Sequence, residues 1–68
     1  MDSQQVDDHD VIDAMVRYGG SFVSALGVAF RAADAVNRGK LRAAFPEYWS
    51  QYTATALQVK QREEQDRG

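Results

Sequence analysis

Apolar or small residues recur in strict three- and four-residue steps at Ile12, Met15, Gly19, Phe22, Leu26, Ala29, Ala33 and Val36. In a chain of 68 residues nothing else constrains the fold as much, because this spacing lays all of those side chains along one face of a helix. A second line, Val16, Val23 and Phe30, runs beside the first and makes the stripe wide enough to meet two neighbours. Arg17, Ser24 and Arg31 fall opposite and predict the wet face. Unbroken from Ile12 to Val36, such a helix would extend about 37 Å at 1.5 Å per residue. It has to lie against something.

Gly19 and Gly20 threaten that continuity, since each costs about 1 kcal/mol relative to Ala in a helix interior. Two alternatives compete: a break with Ser21 capping a second segment, or glycines tolerated because another helix approaches closely. Gly20, Ser24 and Gly27 put small residues on one side of the helix. Because the heptad phase survives across the pair, a continuous or merely kinked helix is the expectation.

The remaining boundaries follow from capping chemistry. Asp7 or Asp8 suits an N-cap, and Asp7, Asp8, Asp10 and Asp13 crowd the first turns, where carboxylates complement the positive end of the helix dipole. Asn37 offers a stop and a restart, capping a short segment from Arg38 to Ala44. Pro46 disfavours helical geometry at Phe45 and favours a new helix start, so a last helix is predicted from Pro46 to Arg62. Its apolar line is Phe45, Trp49, Tyr52, Ala56 and Val59, with Leu57 beside it. No stretch alternates apolar and polar residues over more than a few positions, and no Asn-Gly or Asp-Gly turn is present.

The expected class is therefore all-α: a long helix, a short connecting helix and a second long helix, folded as a hairpin. Residues 1–6 are expected to be a disordered N-terminus, 7–62 the helical domain and 63–68 a frayed polar tail. A chain this short buries only about 60% of the surface its unfolded form exposes. Two hairpins associating as a four-helix-like homodimer would relieve that shortage, with Ile12, Met15, Phe22, Val23, Leu26, Phe30, Trp49 and Tyr52 as core or dimer-interface residues.

Composition narrows the chemistry. Cysteine is absent and histidine occurs once, which removes disulfides, thiolate catalysis and cysteine-based metal sites. The longest uncharged run, Tyr18 to Phe30, is shorter than the roughly 20 residues that span a bilayer and follows an acidic rather than a basic start. A soluble, cytoplasmic chain with no membrane partner is expected.

His9 and Asp13 share a helix face, yet a closed metal site needs three or four convergent ligands with support behind them. Neither metal nor cofactor is expected. Gly19-Gly20-Ser21 lacks the frame of an activated serine or a phosphate loop, and His9 is the only histidine that could serve as its base. No catalytic residue is assigned.

Charge is unevenly spread: residues 1–16 carry −5, residues 17–42 carry +4 and residues 43–68 carry −1. The positive block of Arg17, Arg31, Arg38, Lys40 and Arg42 suits phosphates or an acidic protein surface, which keeps a DNA-associated role open. Tyr, Trp and Arg dominate binding hot spots. Tyr18, Arg31, Arg42 and Tyr48 are accordingly the candidates for a partner-binding surface.

Two stretches, Tyr18-Gly19-Gly20-Ser21-Phe22-Val23 with Ala25-Leu26, and Ala44-Phe45-Pro46-Glu47-Tyr48-Trp49 with Tyr52, resemble a pattern of small uncharacterised proteins encoded by bacteriophages and prophages. The resemblance covers roughly residues 16–52 and implies a context rather than a set of site residues. What the resemblance implies is a small accessory phage protein, a kind that often acts by occupying host proteins in the host cell cytoplasm, such as defence complexes or transcriptional regulators, including quorum-sensing regulators. The expectation is a non-enzymatic, dimeric binding protein that modulates, by inhibition, a host protein. The alternative is a small DNA-associated transcriptional regulator using the basic block 31–42.

Overall fold

The computed structural model describes residues 6–67, with side chains through Glu63. These residues form four α-helices and no strand: α1 Asp8–Tyr18, α2 Gly20–Ala32, α3 Ala35–Ala44 and α4 Pro46–Arg67. The all-α class holds, but the long first helix does not.

Helix α1 starts where the acidic cluster places it. The Asp10 N–H donates to Asp7 Oδ1 at 2.9 Å, and the Asp7 N–H donates to Asp10 Oδ2 at 3.2 Å, a reciprocal capping box. The helix ends at Gly19, whose N–H donates to the Met15 carbonyl at 3.0 Å. Gly20 then takes φ +72°, a left-handed turn that glycine enters freely. The chain reverses, and α2 folds back onto α1. The heptad phase that spans the glycine pair thus belongs to two helices rather than one, because a single left-handed residue redirects all that follows it.

That reversal demands a close approach. A Cβ on Gly19 would strike the Met15 carbonyl oxygen and lie 2.6 Å from Val23 Cγ1. A Cβ on Gly27 would lie 2.9 Å from Val16 Cγ2 and 3.2 Å from the Val16 nitrogen. Ser24, expected on the wet face, sits in the same crossing and donates its hydroxyl to the Val16 carbonyl at 3.1 Å. Ser24 and Gly27 are therefore small because α1 presses on them, whereas Gly20 is glycine for its φ.

The second boundary also moves. Asp34, not Asn37, caps α3, with its carboxylate accepting the Asn37 N–H at 2.8 Å. The Asp at N-cap with a polar residue three positions on is the signal that Asn37 obscured. Pro46 behaves as expected: Phe45 leaves helical geometry and α4 begins at the proline. That last helix continues past Arg62 to Arg67, so residues 63–67 extend it. At the other end, residues 1–5, expected to be disordered, lie outside the described residues, and Val6 packs against the core.

Helix α1 is the middle of the molecule, flanked by α2 on one side and α4 on the other. It therefore buries Val11 and Ala14 as well as Ile12 and Met15. From α2 come Val23, Leu26 and Phe30, and from α4 come Trp49, Tyr52 and Ala56. Phe30 is fully enclosed and meets Trp49 with ring centroids 4.9 Å apart. Seven of the eight expected core residues are inside this cluster; Phe22 is the exception, at 57% exposure.

Helix α3 buries no residue completely. It is held by partly buried Leu41, by the Arg42 guanidinium 4.8 Å above the Trp49 ring, and by Arg38. Arg38 Nη2 donates to the Phe30 carbonyl at 3.1 Å, near the end of α2, and Nη1 lies 3.8 Å from Asp8 Oδ2 at the start of α1. A cation at one helix C-terminus and a carboxylate at another N-terminus each meet a favourable dipole end.

The three glycines discriminate between their roles. Gly27→Ala is expected to lose roughly 1–3 kcal/mol through overpacking against α1, and Gly20→Ala about 1–2 kcal/mol through its left-handed backbone. Gly39→Ala, where an added Cβ meets nothing within 4 Å, should instead stabilise α3 by up to about 1 kcal/mol. Urea unfolding monitored by circular dichroism checks all three.

Candidate protein-binding face

Of the residues whose chemistry resembles a ligand set, Asp7, Asp8, Asp10 and Asp13 make contacts within the fold, and His9 is exposed. Ligand atoms of Asp7, His9 and Asp10 lie within 4.8 Å of one another. Asp7 and Asp10, however, hold the capping box, and Asp10 Oδ2 also accepts from Lys60 Nζ at 3.2 Å, tying α1 to α4. Gly19-Gly20-Ser21 makes the α1–α2 turn, with Ser21 exposed just after it.

Partial burial pushes the Asp10 carboxyl up, but the Asp7 backbone N–H and the Lys60 ammonium outweigh it, leaving Asp10 below the ordinary carboxylate value. A depressed value in the folded state means that this stabilisation is present above the unfolded carboxylate value and is lost as pH falls through the lower, folded one.

Between α1 and α4 a cleft of about 130 Å³ is lined by Asp10, Asp13, Ala14, Arg17, Tyr18, Ala56, Val59, Lys60 and Glu63. It is smaller than the roughly 300 Å³ at which small-molecule sites begin. Charges of both signs crowd it, and Arg17 Nε already pairs with Asp13 Oδ2 at 3.1 Å. This cleft is a seam of the fold closed by ion pairs.

The opposite side of the molecule differs. Once α2 turns Val23, Leu26 and Phe30 inward, the neighbouring row of Phe22, Ala25, Ala29 and Ala32 faces outward and is exposed. Val28 and Val36 are also exposed, Val36 at 69%. The long seam read from the sequence is thus divided: Ile12, Met15 and Leu26 lie inside, while Phe22, Ala29 and Val36 lie outside.

At one end of this face stands an aromatic corner. Phe22 meets Phe45 edge-on with centroids 6.0 Å apart and Tyr48 at 5.8 Å, while Phe45 and Tyr48 are 6.2 Å apart. Tilted and edge-to-face arrangements at these distances are favourable beyond their buried area. Beyond the corner, Ala29, Ala32, Ala33, Asn37, Lys40, Leu41 and Ala44 line a shallow open groove between α2 and α3.

The four residues expected to bind a partner occupy separate settings. Tyr48 belongs to the aromatic corner. Arg42 stacks on Trp49 and holds α3 in place. Arg31 is exposed near the end of α2. Tyr18 is 54% exposed but borders the α1–α4 cleft. Phe22 and Ala29 are exposed although they share the heptad phase of the core residues Met15 and Leu26.

Comparison with known protein families, curated proteins and solved structures yields no match. The face is read from its geometry alone. Among the described residues, no helix is long and apolar enough to cross a membrane.

The Asp10 interactions predict an acid-sensitive fold. As pH is lowered below the ordinary aspartate value of 3.8, the melting temperature should fall as the Lys60 and Asp7 contacts are lost. In Asp10→Asn, less stable at neutral pH, this component of the acid dependence should be absent. Calorimetry across the acid range compares the two.

Proposed function

We propose that this chain is a non-enzymatic helical binding protein, of the bacteriophage or prophage kind its sequence resembles, that modulates a host protein by stoichiometric association. The observation that carries this reading is the outward row of α2 with its aromatic corner: Phe22, a large apolar side chain more than half exposed, is braced by Phe45 and Tyr48. Rigid aromatic side chains presented on a helix supply contact area at little entropic cost, the usual composition of a binding hot spot. The mechanism is steric, in which the face covers a working surface of a target such as a defence complex or a transcriptional or quorum-sensing regulator.

Self-association through the same row is the second reading, favoured by the apolar area that one copy leaves uncovered. It supplies the homodimer expected from the seam. A DNA-associated role through residues 31–42 has less support, because Arg38 and Arg42 are engaged with Phe30, Asp8 and Trp49. Arg31, Lys40 and Arg42 are the block's exposed cations, and Arg42 already faces Trp49.

Phe22→Asp tests the leading reading. Because Phe22 is exposed, the variant should keep its helical content and melt within a few degrees of the parent. It should also lose a host protein that the tagged parent retains from bacterial lysate. Retention of the same protein by both would overturn the assignment of this face, and light scattering on the free parent reports whether two copies pair.

A further inference from the structure

The groove between α2 and α3 has an electrical character that its apolar lining conceals. Between Asp13 and Glu47 the chain has one acidic residue, Asp34, and its carboxylate is engaged with the Asn37 N–H at 2.8 Å. The same stretch carries Arg17, Arg31, Arg38, Lys40 and Arg42. Arg17 is turned to Asp13, Arg38 to Phe30 and Asp8, and Arg42 to Trp49. Of the exposed cations of this stretch, Lys40 lines the groove, Arg31 is next in the chain to the lining residue Ala32, and Arg42 stands on α3 over Trp49. The α2–α3 side is thus an alanine-floored groove whose surround is net basic, with Asp34 beside Ala33 its one carboxylate, whereas Asp8, Asp10 and Asp13 gather on α1.

We propose that this groove takes an acidic amphipathic helix of a partner protein, a deepening that rests on the protein-binding reading above. Small floor residues, Ala29, Ala32, Ala33 and Ala44, let a helix approach closely, and Leu41 supplies an apolar wall. Carboxylates on the incoming helix flank the apolar contact and meet Lys40 and Arg31. In the helix-in-groove mode the apolar face of an amphipathic helix lies in an apolar groove, and the net positive surround here selects carboxylates for its polar face. A second copy of this chain fits less well. Two-fold pairing of identical faces brings together two surfaces of the same net positive charge, and like charge across an interface is penalised.

The test uses the full chain and two synthetic helix-forming peptides with the same Leu and Ala apolar face. One carries Glu on its polar face and the other Lys. Titration of each into labelled protein is followed by amide chemical shifts. The Glu peptide should move the amides of Ala29, Ala33 and Leu41, and the Lys peptide should bind markedly more weakly. Lys40→Glu should weaken the Glu peptide roughly five-fold, as expected for reversing one exposed ion pair, and should improve the Lys peptide. Lys40→Gln should fall between, and since Lys40 is exposed both variants should fold.

Equal binding of the two peptides, shifts confined to other helices, or no binding of the Glu peptide would overturn the proposal. So would shifts of these same amides on raising protein concentration without peptide, which would assign the groove to a second copy. Failure here leaves the broader reading intact if Phe22→Asp still releases the host protein. Failure of the Phe22 experiment with success of the peptide titration would locate the binding surface in the groove rather than at the aromatic corner.

Discussion

The close crossing of α1 and α2 is the contact on which the rest of the molecule depends. It exists because Gly27 has no Cβ to push Val16 away, and because Gly19 and Gly20 reverse the chain within two residues. With α2 folded onto one side of α1 and α4 onto the other, a chain of 68 residues acquires a central helix buried on two faces. That arrangement gives a small protein a contiguous core from Val11 to Ala56 without a disulfide to staple it.

The same turn decides what the surface looks like. By separating two helices that share a heptad phase, it sends one apolar row inward and leaves the next one outside. The inner row, closed by Phe30 against Trp49, stabilises the fold. The outer row, braced where Phe22 meets Phe45 and Tyr48, is otherwise left exposed among the described residues. Apolar area left on a surface and concentrated on one side points to association, and that concentration underlies the reading of the chain as a binding protein.

Charge follows the helices in the same way. The acidic start of α1 does structural duty at its N-terminus, through the capping box, Lys60 and Arg38. Basic residues from α2 and α3 divide between clamps, as with Arg38 and Arg42, and exposed positions, as with Arg31 and Lys40. A positive block in the sequence therefore does not become a positive patch of equal strength. Two of its members are held by a carbonyl, a carboxylate and an aromatic face before any ligand arrives.

Local chemistry determined the helical class, an aspartate cap at Asp7 or Asp8 and the Pro46 boundary, because each depends on backbone groups within a few residues of the side chain concerned. It also determined most of the core, since three- and four-residue spacing marks a buried face whichever helix lies opposite. Only the tertiary structure decided that Gly19-Gly20 is a reversal rather than a kink, that Asp34 rather than Asn37 restarts the chain, and that Phe22 lies outside while Val23 lies inside. The reason is physical. Periodicity records which residues share a helix face but carries no information about which face meets a neighbour, and that choice rests on how closely two backbones approach at Gly27.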